Sequence, residues 1–211
     1  MKQNSSSNVE PPKLVLIAGA TGVGKSTISI DVARNLKFSR CISTDAIREI
    51  LRTVSTQKEN PNLFKSSFSK GETGNPLTDW KDSCEPINAG IKATIQRARR
   101  EGIDLILEGV HIVPSNEFLR EWTNEGGIAI GVVLHVKNKH KHLELIEERE
   151  KNSWRTAQRY IESFDRIREI QEGILESAIP YSWNSIDPTK ENASEKIEHL
   201  LDLEWNKYNS S

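Results

Sequence analysis

Eight consecutive residues, Gly19-Ala20-Thr21-Gly22-Val23-Gly24-Lys25-Ser26, match G-x-x-x-x-G-K-[ST] in full. Glycines at these positions let the backbone bend until its N–H groups converge on phosphate oxygens, and the start of the following helix adds the positive end of its dipole. The Lys25 ammonium would reach the β- and γ-phosphates of a nucleotide, the Ser26 hydroxyl would hold Mg²⁺, and the cradle is read through Thr27. A dinucleotide G-x-G-x-x-G fails because Thr27 occupies the third glycine position. A guanine-reading N-K-x-D fails at Asn138-Lys139-His140-Lys141, which carries no aspartate there.

Phosphoryl transfer also needs charge neutralisation and an oriented acceptor hydroxyl. Two acids follow short apolar runs, Asp45 after Cys41-Ile42-Ser43-Thr44 and Glu108 after Leu105-Ile106-Leu107. Glu108 is placed to hold Mg²⁺ or its water, and Asp45 to take the acceptor's proton. The competing readings are a helix N-cap for Asp45 and a supporting polar residue for Glu108, and the two roles are interchangeable at this level. Arg48 and Arg52, one turn apart, offer guanidinium forks to an anionic acceptor. Ser66 and Ser67, beside Lys65 and Lys70, offer further donors. Arg149, Lys151, Arg155 and Arg159 make a basic cluster suited to a lid, with Arg149 and Arg155 taken as the catalytic pair; a salt-bridged surface beside Glu147, Glu148 and Glu150 is the alternative. His111, His135, His140 and His142 share no metal-ligand face and are read as structural, His111 being the one nearest a ligand because it follows Glu108.

The elements that must position these groups alternate. Lys13 to Ala18 reads as a strand buried on both faces, followed by a helix on Ile28, Val32, Ala33 and Leu36. Further strands are expected at Arg40–Ser43, 103–107, 128–136 and 181–186, with helices over 45–54, from Pro86 to Gly102, and over 139–151, 153–178 and 192–204. Residues 53–85 show no period and are expected to form a lid or an ordered insertion. The fold class is therefore α/β, a three-layer P-loop NTPase with a five-stranded parallel sheet, helices on both faces and substrate and lid insertions. Residues 1–12 read as a polar leader, 13–205 as one kinase domain, 53–85 as its substrate-side insertion and 139–160 as its lid.

The 211 residues suit a single domain. Its 29 basic and 30 acidic side chains give a net charge of −1, which argues against a surface built to grip nucleic acid. Two cysteines make neither a disulfide framework nor a zinc site, and no apolar run approaches a membrane span, so a cytoplasmic protein, monomer or homodimer, is expected.

Several segments resemble the archaeal 2-phosphoglycerate kinases. Ser43-Thr44-Asp45-Ala46-Ile47-Arg48-Glu49 is similar to that family's S-T-D-x-I-R-E, and Arg97 to Gly102 to its R-A-x-x-E-G. Glu108-Gly109-Val110-His111-Ile112-Val113-Pro114 is similar to its E-G-V-H-x-V-P. Pro61 to Phe68 and Arg159 to Gln171 resemble two further family segments. The resemblance runs from Lys13 to Pro180; Phe68 stands where a Tyr is usual, and Thr78 to Glu85 diverges. Longer relatives carry an amino-terminal nucleotide-sensing domain that these residues are not expected to contain. The family implies a kinase of the nucleoside-monophosphate-kinase type that uses ATP and Mg²⁺ to convert 2-phosphoglycerate to 2,3-diphosphoglycerate. The alternatives are a kinase of another phosphorylated polyol, such as an inositol phosphate, a kinase of a nucleic-acid end, and a nucleotide-binding regulator without catalysis.

Overall fold

Lys13–Ala18 forms β1, buried at every residue after the first, as its unbroken apolar run requires. The computed structural model describes residues 10–151 and 157–210, so most of the expected leader lies outside them. Strands β2 (Arg40–Ser43), β3 (Leu105–Gly109), β4 (Ile128–Leu134) and β5 (Asn184–Ile186) join β1 in the order β2-β3-β1-β4-β5. Every pairing is parallel.

Side chains alternate across this sheet. Leu14, Leu16, Leu105 and Leu107 face one apolar layer, while Val15, Ile17 and Ile106 face the other. The first layer is covered by α2 (Thr44–Arg52), α4 (Pro76–Glu101), α5 (Glu117–Asn124) and α8 (Phe164–Ala178). The second is covered by α1 (Lys25–Asn35) and α9 (Ala193–Asn209). The short helices α3 (Pro61–Phe64) and α7 (Gln158–Glu162), with α6 (Lys139–Lys151), rim the carboxyl ends of the strands. Among the described residues no helix is long and apolar enough to cross a membrane.

Three expected boundaries are corrected. The long helix α4 starts at Pro76, not Pro86, because the Asn75 side chain caps it, accepting from the N–H groups of Leu77 and Thr78 at 3.0 Å each. Pro86 lies inside it. The buried stripe Trp80, Cys84, Ile87, Ile91 and Ile95 runs straight past that proline, and its burial outweighs the lost backbone bond. The last ten residues of the 53–85 segment are therefore helix. Strand β3 runs to Gly109 and so contains Glu108 instead of preceding it. Within the expected 153–178 helix, residues 153–156 lie outside the described chain, and Ser163, at φ −101° and ψ 9°, separates α7 from α8. The helix α5 and the single-turn α3 were not signalled by any clear period.

Candidate active site

The phosphate loop joins β1 to α1. Gly24 takes φ 86° as the cap of α1, and Gly22 takes φ 85°, both in the left-handed region that suits glycine. A Cβ on Gly22 would lie 2.3 Å from Ile146 of α6, so the loop packs directly against that helix. The Lys25 ammonium donates to the carbonyl of Ala20 at 2.8 Å, and burial lowers its pKa.

Strand alternation sends Glu108 to the same side as Ile106, the α1 side, and there it meets the loop. The Ser26 hydroxyl donates to Glu108 Oε1 at 3.0 Å. Burial raises the Glu108 pKa, and the Lys25 charge and the Ser26 hydroxyl oppose that rise. Among the described residues no cluster of three His, Cys, Asp or Glu could hold a metal ion. A hydroxyl and one carboxylate nevertheless suit Mg²⁺, which takes most of its oxygens from phosphates and water.

Asp45 is not the cap of its helix. The Ser43 hydroxyl accepts from the Ala46 N–H at 3.1 Å and fills that role. Asp45 is left exposed in the first turn of α2, where it pairs with Arg48 at 3.1 Å. Arg48 is largely buried, and its Nε has no partner among the described residues.

A cleft brings together Lys25, Ser26, Asp45, Arg48, Ser66, Ser67, Glu108 and Arg149. It thus collects most of the residues that the sequence singles out for chemistry. A second, adjoining cavity shares Gly22, Lys25, Ser26 and Arg149 with it and adds Gly24, Thr27 and Leu145. The loop and Arg149 stand where the two cavities meet. Gly19, Ala20 and Val23 complete the turn, with Ala20 and Val23 buried beneath it.

The wall opposite the loop depends on distant contacts. Arg166 of α8 donates to the carbonyls of Phe68 (3.1 Å), Ser69 (3.2 Å) and Gly74 (3.0 Å). It also pairs with the buried carboxylate of Asp79 at 2.9 Å. Asp79 accepts in turn from the Gly71 N–H at 2.8 Å and the Thr73 hydroxyl at 2.7 Å. Burial pushes the Asp79 pKa up, but these donors and the Arg166 charge outweigh it and hold it at about 2. The rim of the cleft is aromatic and basic. Tyr160 and Phe68 stand 5.3 Å apart, with Arg159 over both rings and Arg149 4.8 Å from the centre of Tyr160.

Two residues expected at the site, Arg52 and His111, do not line this cleft. Arg52 is turned to the insertion, donating to the Leu63 carbonyl at 2.9 Å and to Glu49 at 2.7 Å, and stacking on Phe64. His111 is buried behind the cleft wall, its Nδ1 3.0 Å from the Thr44 hydroxyl. Burial keeps it neutral, with a pKa of about 4. Arg155 lies outside the described residues. Sequence reasoning missed the Tyr160–Phe68 pair as a support for Arg149 and Arg159 and missed the Arg166–Asp79 brace. The first has an aromatic signal beside Arg159; the second has none, since its partners are 87 residues apart.

No family model matches the chain. It is 35% identical over 200 residues to the 2-phosphoglycerate kinase of Methanopyrus kandleri, covering 91% of this chain and 60% of that protein. Identity to the 2-phosphoglycerate kinase of Methanothermobacter thermautotrophicus is 36% over 179 residues, covering 79% and 58%. For that of Methanocaldococcus jannaschii it is 30% over 208 residues, covering 92% and 67%. The chain thus spans about 60% of the length of the first two relatives. Among solved structures, a gluconokinase from Sinorhizobium meliloti aligns with TM-score 0.53 and 18% identity over 96% of this chain and 99% of that one. A shikimate kinase from Acinetobacter baumannii in complex with shikimate gives 0.51 and 18% over 93% and 94%. At such identity these two establish the fold alone, that of P-loop kinases.

Proposed function

The chain belongs to the family of 2-phosphoglycerate kinases, and from that premise we propose that it transfers the γ-phosphoryl group of ATP to a phosphorylated hydroxy acid, 2-phosphoglycerate, giving 2,3-diphosphoglycerate. One observation carries this reading: a complete phosphate loop, with its Ser26–Glu108 pair, shares a cleft with an exposed carboxylate next to a buried arginine fork.

The loop N–H groups and Lys25 take the β- and γ-phosphates, Lys25 exchanging the Ala20 carbonyl for phosphate oxygens. Ser26 and Glu108 are the residues that would hold Mg²⁺. Such an ion would supply positive charge that offsets the charge of the phosphates. Arg48, with Ser66 and Ser67, grips the phosphate and carboxylate of the acceptor and leaves its hydroxyl at Asp45. Asp45 takes the hydroxyl proton as the oxygen bonds to the γ-phosphorus. The bond from that phosphorus to the bridging oxygen breaks, and ADP leaves. Arg149, common to both cavities, faces the charge that develops between donor and acceptor. The expected cytoplasmic location belongs to this reading, as a site of soluble phosphorylated metabolites.

The test is ADP release from MgATP in the presence of single acceptors. 2-Phosphoglycerate should stimulate release above a panel of phosphorylated C3 to C6 acids and polyols and DNA or RNA ends. Stimulation by another acceptor instead would overturn the substrate assignment. Release that no acceptor changes would overturn the kinase reading in favour of a nucleotide-binding regulator.

A further inference from the structure

The phosphate loop has a backbone problem that its sequence motif does not solve. A glycine-rich turn can present either face of its peptide planes, and Gly22, at φ 85°, adopts either without steric cost. A plane turned the wrong way would aim a carbonyl, not an N–H, at a phosphate. Something outside the motif must choose the face.

Helix α6 supplies three residues along one side, at spacings of four and three: His142, Ile146 and Arg149. His142 is fully buried, and its Nε2 lies 2.8 Å from the carbonyl oxygen of Thr21. Ile146 is the residue against which Gly22 packs. Arg149 enters both cavities.

A carbonyl can only accept, so the proton of this bond is on His142 Nε2. Nδ1 is then bare. It faces Arg168 Nη1 at 3.4 Å, and Arg168 is itself held by the carbonyls of Val136 and Lys137. The Phe164 ring closes the remaining side, edge on, with 5.3 Å between centres. Imidazole tautomer and orientation are therefore both fixed. Burial favours the neutral form that this arrangement uses.

The peptide between Thr21 and Gly22 is trans, as all described peptides are, so its carbonyl and its N–H point in opposite directions. Holding the Thr21 carbonyl against α6 turns the Gly22 N–H away from α6, toward the cavities that Gly22 lines. We infer that His142 is a positioning residue of the phosphate loop: its Nε2–H selects the peptide face that presents the Gly22 N–H to the nucleotide's phosphates. The same helix face carries Arg149, so the loop and the lid arginine are set by one rigid element. This inference rests on the nucleotide reading of the loop but needs no particular acceptor.

The experiment compares wild type, His142→Leu and His142→Gln in MgATP binding by calorimetry, in steady-state KM values and in melting temperature. Glutamine places an amide N–H near the position of Nε2; leucine fills space without a donor. The leucine variant should weaken MgATP binding about 3–10-fold, the worth of one hydrogen bond, and leave the acceptor KM unchanged. The glutamine variant should restore wild-type MgATP affinity. Equal MgATP affinity in wild type and His142→Leu overturns the inference, as does a parallel rise in both KM values. Should His142→Leu not fold, His142→Gln must match wild type while the shorter His142→Asn loses affinity; equal behaviour of those two overturns it as well. A wild-type chain that binds no MgATP overturns the kinase reading itself, and that outcome is distinct from the others.

Discussion

The nucleotide wall of the cleft is made by consecutive residues, Gly19 to Ser26, whereas the wall facing it is assembled from α2, the 53–75 segment and α7, and is held by the neighbouring Asp79 together with Arg166 from a helix far along the chain. The first wall works through backbone groups whose placement follows from glycine conformations and one helix start. The second works through side chains whose aim depends on contacts 87 to 98 residues apart. A binding site made of backbone tolerates little variation and is shared by many kinases. One made of side chains on a braced insertion can change its ligand while the fold stays the same. On the proposed assignment, the first wall carries the chemistry common to such kinases and the second the selectivity for the acceptor.

Substitutions on either wall can break that division. The largest effect is expected at the acid that belongs to both chemistry and acceptor: Asp45→Asn should lower turnover by about 10²–10⁴-fold with ATP affinity nearly unchanged. Loss of ATP affinity instead would exchange its role with that of Glu108. Lys25→Ala should follow, with turnover reduced by about 10²–10³-fold, as for removal of one charge-stabilising donor, and with an unchanged melting temperature. Wild-type turnover there would remove the first wall from the chemistry altogether.

Arg48→Ala should cost about 1.5–3 kcal/mol, about 10- to 150-fold, as a higher KM for the acceptor and not for ATP. Equal losses for both ligands would make Arg48 part of the scaffold. Asp79→Asn tests the brace. The folded pKa of Asp79, about 2, is depressed below its unfolded value, so its contribution is present at neutral pH and disappears as pH falls through about 2. The melting temperature of the variant should therefore fall short of wild type at pH 7, and the gap should close in acid. A gap that widens in acid would contradict that sign. Ser67→Ala, mildest of the set, should raise the acceptor KM about 3–10-fold, the range of one hydrogen bond.

What could be read in advance follows the same division. The β1 run, the loop and the two acids were legible because each signal lies within about ten residues and has one physical cause. The parallel sheet and the meeting of Asp45 with the loop followed from the alternation of strands and helices, whereas the order β2-β3-β1-β4-β5 had no signal in the sequence. Pro86 misled because a proline is equally welcome in a first turn, and Asn75-Pro76, ten residues earlier, carried the stronger cap. Arg52 and His111 show a second limit. Spacing can place a side chain on a helix or after a strand, but it cannot say that the Leu63 carbonyl or the Thr44 hydroxyl will claim it first. The brace left no local trace, since neither Arg166 nor Asp79 departs from an ordinary helix surface pattern.

The central place of β1 also bears on the order in which the chain can become functional. Its neighbours are Leu105–Gly109 on one side and Ile128 to Val133 on the other. During synthesis, the residues of the phosphate loop emerge more than a hundred positions before the second of these strands exists to hold them. Non-local parallel pairings of this kind close late. The phosphate loop is thus made well before the strand that completes the support of β1, and its final shape must wait for that pairing. A nucleotide that binds only the finished domain would favour that pairing once it has formed.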